Sequence, residues 1–123
     1  MKNLLSTIPK NKFENWAHAE RVCQMCDGTT ERGPSRSPWF WLINTMNLPK
    51  HLREGAVCFM IFDGVVRGYF DIVDTDKTEN WRDKHVIGKA RETSSLILAN
   101  WHPISEALHQ RGFQGWRYTD LQP

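Results

Sequence analysis

Five aromatic residues able to stack on a ligand, Trp39, Trp41, Tyr69, Trp116 and Tyr118, stand in a chain with four arginines within reach of the same elements, Arg32, Arg36, Arg67 and Arg117. A base laid on an aromatic face gains about 1–3 kcal/mol. A guanidinium beside it can grip a phosphate or a base edge through its planar fork. Together these residues read as a cleft for a nucleic acid or nucleotide. The same rings also suit a hydrophobic core, since each buries a large apolar surface.

Two further groups invite a chemical reading. Glu31 beside Arg32 and Arg36 offers a carboxylate that accepts a base edge or acts as a general acid or base. Such a trio is also an ordinary surface ion pair contributing under about 1 kcal/mol. Ser6, Lys10 and Lys12 stand where a strand gives way to a helix, a place whose free N–H groups and lysines attract anions. Lysines there are equally plain solvated charges.

Other residues carry less. His51, His85, His102 and His109 are scattered, with no nucleophile in a G-x-S-x-G setting and no glycine-rich phosphate loop. Asp71, Asp74 and Asp76 lie on a strand and its exit; alternation puts Asp74 and Asp76 on one face, read as solvent, and no calcium loop follows. Cys23 and Cys26 make a C-x-x-C with His18 nearby, but a structural zinc site wants four ligands and no second pair exists. The three cysteines, Cys58 included, read as buried or incidental thiols, and the sequence implies neither metal nor cofactor.

The elements that must position these groups start from Leu52–Asp76. Ala56–Phe62 is apolar and rich in β-formers, and Asp63-Gly64 is the pair a type I′ hairpin turn requires. Val65 to Val73 returns as a second strand, with Gly68 inside it marking a bulge, a bend or close approach by another backbone. Asn3–Ile8 reads as a first strand. Pro9 then opens a helix carrying Phe13, Trp16, Ala19 and Val22, which fades by Asp27-Gly28. Residues 29–38 read as loop, with a short edge strand open at their start. Trp39–Met46 suits either a strand or a helix, the helix favoured because Leu48 and Leu52 continue a buried face, and Lys77–Lys89 reads as loop. Thr93–Trp101 reads as a strand ended by Pro103, Ile104–His109 as one or two helical turns, and Trp116–Thr119 as a last short strand. This order suggests a small α+β barrel in one domain spanning residues 1–123.

Composition sets the outer bounds. The chain has 123 residues, 40% hydrophobic and 24% charged, an ordinary globular balance. Its six Trp, several-fold above usual, each need a core position or a stacking partner. Sixteen Lys and Arg against fourteen Asp and Glu give +2, too little to imply nucleic acid by charge alone. No apolar run is long enough for a membrane span or a signal peptide, so the expected location is cytoplasmic, with no membrane partner.

Leu4-Leu5-Ser6-Thr7-Ile8-Pro9, the helix after it, and Gly28-Thr29-Thr30-Glu31-Arg32 together resemble the opening of the PUA-like superfamily, in its ASCH and EVE types. Leu52–Val57 with Val66–Asp74 is similar to the family's next block, and Gly112–Tyr118 to its terminal strand. The resemblance implies a mixed β-barrel of about five to six strands with one to three flanking helices. It also implies a nucleic-acid or modified-nucleotide binding module, with DNA and RNA both open. An ASCH-like hydrolase acting on a modified nucleoside or RNA would use Glu31, Lys10 and Thr29 or Thr30. This chain lacks the lysine many ASCH domains carry in the glycine turn, having Thr29 and Thr30 there. A third reading is a protein-interaction module in which exposed tryptophans form a docking patch.

Overall fold

The computed structural model describes residues 2–28, 40–81 and 92–123. In chain order these form β1 (Asn3–Thr7), a 3-10 turn at Lys10–Lys12, α1 (Trp16–Met25), β2 (Trp41–Thr45), β3 (Val57–Phe62) and β4 (Val65–Lys77). A second 3-10 turn at Thr78–Asn80, β5 (Ser94–His109) and β6 (Trp116–Thr119) follow. The strands make one mixed sheet in the order β2-β5-β4-β3-β1-β6, curled into a half-barrel with one α-helix among the described residues. β1 runs parallel to β3, and the other described pairs are antiparallel.

The β3–β4 hairpin forms as its sequence dictates. Phe62 faces Val65 across a two-residue turn in which Asp63 and Gly64 take φ of 52° and 75°, the left-handed pair of a type I′ turn. Between Met60 and Ile61 the register slips, so Met60 faces Gly68, Ile61 faces Val66, and Arg67 is the extra residue of a bulge. Two more slips bend β4 against β5, leaving Asn100 and Val73 as extra residues. A long pair broken three times curls where a regular one would stay open.

Three expectations are corrected. Trp41–Thr45 is a strand, not a helix; its five residues pair with Ser94–Leu98, and Leu48 and Leu52 reach the core from a loop. A run this short makes no stable helix, whereas an aromatic and β-branched edge strand gains a full ladder from β5. β5 also continues through Pro103 to His109, because Pro103 sits where the ladder breaks: Gly68 faces Pro103 and Val66 faces Leu108, so a single β4 residue stands opposite four of β5. The helix starts later than Pro9 suggests. Lys10–Lys12 makes one 3-10 turn, and α1 begins after Asn15, whose Oδ1 accepts from the His18 N–H at 2.9 Å while His18 Nδ1 accepts from the Glu14 N–H at 3.2 Å.

Each face of the sheet has its own core. On one face Leu4, Cys58, Met60, Phe62, Phe70, Leu96 and Leu98 pack beneath Ala19, Cys23 and Cys26 of α1 and the turn after it. On the other, Leu5, Val57, Phe59, Ile61 and Val66 lie under Ile104 and Leu108 of the far half of β5 and under Phe113 and Leu121. The helix end is fixed to the sheet by the Asn100 N–H, which donates to the Cys26 carbonyl at 2.8 Å. The loop from β2 to β3 crosses the helix-covered face to the opposite sheet edge: Trp116 Nε1 donates to the Asn47 carbonyl at 2.9 Å, and the His51 N–H donates to the Tyr118 hydroxyl at 3.3 Å. No helix among the described residues is long and apolar enough to cross a membrane.

Candidate functional site

Six rings on the helix-covered face touch in sequence. Phe13 stacks on Trp41 at 6.2 Å between centroids and 20° between planes, and Trp41 stacks on Phe70 at 5.9 Å and 28°. Phe70 meets Trp101 edge-on at 5.0 Å, Trp101 meets Trp16 at 5.9 Å, and Trp16 meets Phe62 at 5.5 Å. Phe62 and Phe70 are buried, while Phe13, Trp16, Trp41 and Trp101 are only partly covered. The buried pair forms a floor from which four large rings rise toward the surface. Their elements explain the meeting: Trp16 opens α1, Trp41 opens β2, Phe70 faces Trp101 across β4 and β5, and Phe13 precedes the helix cap.

Arg67 closes one end of the row. As the extra residue of the β4 bulge it shares a face with its neighbour Gly68, and its guanidinium lies 5.1 Å from the Trp16 ring centroid and 5.9 Å from that of Phe62. Its Nε donates to the Phe62 carbonyl at 3.3 Å, and among the described residues it has no carboxylate within ion-pair distance. At the nearby hairpin tip Lys10 Nζ lies 2.9 Å from Asp63 Oδ1. That hydrogen bond and the lysine charge, with a smaller contribution from Arg67, hold the Asp63 carboxyl below the usual carboxylate range. The row's rim is therefore cationic, with one acid already engaged.

Gly68 is what lets Trp101 join the row. A methyl there would meet the His102 carbonyl at 2.4 Å and two Trp101 ring carbons at 2.6 and 2.8 Å. The indole of Trp101 packs against bare backbone, and its Nε1–H is closed to solvent with no acceptor among the described residues.

The residues expected to form one cleft are divided by this geometry. Trp41 and Arg67 border the row. Tyr69 and Arg117 do not, because register puts both on the opposite face: Arg117 faces Leu5, and Tyr69 faces Phe59. There the Tyr69 ring stacks on His102 at 4.7 Å, and the Arg117 guanidinium lies 4.1 Å from the Phe113 centroid. His102 Nε2 is also 3.3 Å from Asp71 Oδ1, near enough for an ion pair if protonated but not aligned as a hydrogen bond. Trp116 and Tyr118 share the helix-covered face but stand on the β6 edge, where they fasten the β2–β3 loop.

The remaining expected residues are placed as follows. Ser6 is buried and donates to the Gly115 carbonyl at 2.7 Å, a tie between β1 and the turn before β6 rather than a group open to an anion. Lys10 is held by Asp63, and Lys12 is exposed. Thr29, Thr30, Glu31, Arg32, Arg36, Trp39 and His85 lie outside the described residues. Cys23 and Cys26 are buried free thiols pushed up to about 12, chiefly by burial, and burial raises the thiol of Cys58 as well.

Sequence reading missed Phe13, Trp16 and Trp101 as site residues. Trp16 carried a signal, since Trp16, Ala19 and Cys23 mark one helix face. Trp101 carried a fainter one, as a large ring near the end of an expected strand, with nothing local to place it against Gly68. Comparison with family models, curated proteins and solved structures finds no match. The functional reading therefore rests on the geometry of this row.

Proposed function

We propose that this chain is a nucleic-acid or nucleotide binding module of PUA-like type, and that a base stacks on the partly covered rings of the row beside Arg67. The observation that carries the reading is Arg67 itself. A guanidinium with no carboxylate partner among the described residues, lying over Trp16 at the rim of four partly covered rings, combines a stacking surface with a phosphate or base-edge donor. Lys10 and Lys12 add positive charge along the exposed segment leading to that rim. The PUA-like assignment is consistent with a six-stranded mixed half-barrel and one helix.

Quenching of tryptophan fluorescence by nucleotides and by single- and double-stranded oligonucleotides, at low and high salt, tests this reading. Saturable quenching is expected, weakening with salt for oligonucleotides as phosphate contacts are screened. Arg67→Ala should weaken binding about tenfold and flatten the salt slope by about one contact. Trp41→Leu, which keeps bulk against Phe70, should lose about tenfold at both salts through stacking alone. Absence of quenching by every probe, in protein shown to be folded, would overturn the proposal and favour a protein-docking role for the partly covered tryptophans.

A further inference from the structure

We infer that Asp71 is a positioning residue for the ring row, and that its hold on His102 makes ligand affinity rise as the pH falls through the imidazole range. The inference rests on the base-binding reading above and adds how that site is regulated. Its starting point is the place of Trp101 in the row. In the sequence of ring contacts Trp101 joins the Phe13–Trp41–Phe70 half to the Trp16–Phe62 half, touching Phe70 on one side and Trp16 on the other.

That linking ring is held from behind. The residues before and after it both meet one carboxylate across the strand pair: Asn100 Nδ2 donates to Asp71 Oδ2 at 3.2 Å, and His102 Nε2 lies 3.3 Å from Asp71 Oδ1. Asn100 is the extra residue of a bulge, so the ladder breaks where the clasp is made. Its half of the clasp is a hydrogen bond that pH leaves alone. The His102 half depends on a proton. Nε2 is closed to solvent and has no aligned partner among the described residues, so a neutral ring gains little from the carboxylate. A protonated ring sets a cation against Asp71, and imidazole is the side chain that changes charge between about pH 5 and 8. Both flanks of Trp101 are then fixed to one anchor; loss of the proton leaves Asn100 alone to hold the bulge.

The surroundings single out Asp71 as the charge that acts on His102. From β4 the imidazole also meets Tyr69, stacked at 4.7 Å and 16°. Behind these two, Val57 and Phe59 of β3 face Asp71 and Tyr69 and carry no charge. On β5 itself Ile104 packs on the same face, and Glu106 is exposed farther along. Beyond α1, a methyl on Gly28 would lie 3.9 Å from Asn100 Oδ1, which brings the exposed Asp27 near Asn100. His18, with its ring 5.3 Å from Phe13, is a second imidazole at the row, and its own effect has to be told apart from that of His102.

Two measurements on the intact chain at pH 5.5 and pH 8 test the inference. One is isothermal titration with an oligothymidylate lacking terminal phosphate, whose diesters and bases do not titrate in that range. The other is hydrogen exchange of the Trp101 indole N–H without ligand, corrected for the intrinsic effect of pH and referred to a β3 amide. A half-exposed ion pair is modest, so affinity and protection should each be about threefold greater at pH 5.5. Asp71→Asn keeps an acceptor for Asn100 and removes the charge; His102→Phe keeps a ring on Tyr69 and removes the nitrogen. Each variant should lose most of both ratios, yet bind within about twofold of the native chain at pH 8, where the clasp is already slack. Native ratios near one would overturn the inference and leave base stacking intact. So would ratios unchanged in both variants, which would assign the pH effect to another group such as His18. Failure of the oligonucleotide to bind at either pH would instead overturn the base-binding reading, and the exchange ratios alone would then decide whether Asp71 positions Trp101.

Discussion

At the scale of single residues, Gly68 is the position on which the ring row depends. A side chain there would enter the space of backbone, through the His102 carbonyl at 2.4 Å, and of a ring wedged beneath its neighbours. Neither neighbour can give way cheaply. Gly68→Ala should therefore cost about 3 kcal/mol, the upper part of the range for overpacking, read as a lowered urea midpoint at unchanged slope. Gly55→Ala makes the contrast: the added methyl meets nothing within 4 Å, and only the positive φ of 83° is strained, so about 1 kcal/mol is expected. Similar losses for the two would mean that Trp101 is not seated as described. The glycine's importance was legible in the sequence, because a glycine inside a strand marks a bulge, a bend or a close approach, and the structure shows both a bulge beside it and a close approach. Its partner was not, because Trp101 reaches Gly68 only through a register that three irregularities shift between β4 and β5.

At the scale of elements, the sequence was most legible where local chemistry decides. The Asp63-Gly64 turn, the first strand and the last strand form as turn chemistry and β-propensity direct. It was least legible where tertiary pairing overrides a local signal: Pro103 would end an isolated strand, yet in β5 it falls at a break in the ladder, and Trp41–Thr45 becomes a strand only because β5 offers an edge. The face assignments failed for the same reason. Tyr69 and Arg117 look like partners of Trp41 in the sequence, but a one-residue slip reverses the face of a strand residue, and nothing local fixes that slip. Asn100 shows how an irregularity is held. It takes φ of 62° as the extra residue of β5, its N–H caps the helix end at Cys26, and its Nδ2 donates to Asp71 at 3.2 Å. Asparagine tolerates the left-handed region and a β-branched residue does not. Asn100→Val should lower stability by about 2 kcal/mol and release the end of α1, whereas Asn100→Gly should stay within about 0.5 kcal/mol of the native chain. Thermal unfolding followed by circular dichroism separates the two, and a tolerated valine would show that the bulge is not fixed by this residue.

At the scale of the whole molecule, β2 and β6 are the end strands of the sheet, and the loop between β2 and β3 spans from one to the other. Its anchors are Trp116 and Tyr118, whose polar tips bond backbone at Asn47 and His51 while their rings lie edge to face at 5.1 Å. These residues thus hold the sheet in its curl, and the ligand row lies along other rings. The division can be tested in one double variant, Trp116→Phe with Tyr118→Phe, which keeps an aromatic ring at each position and removes both polar tips. Each lost hydrogen bond should cost about 1 kcal/mol, so the pair should lower stability by about 2 kcal/mol. Looser closure should also show in the cysteines. Cys23, Cys26 and Cys58 are buried free thiols, so labelling by a thiol reagent at pH 8 proceeds through local opening and should accelerate as that opening becomes cheaper. Nucleotide affinity, measured where the variant is still folded, should remain within about twofold of the native value, because Trp16, Trp41, Trp101 and Arg67 keep their contacts. A variant with native stability, native labelling and sharply weakened binding would reverse the assignment: Trp116 and Tyr118 would then belong to the ligand surface, and the curl would have to be held by the core alone.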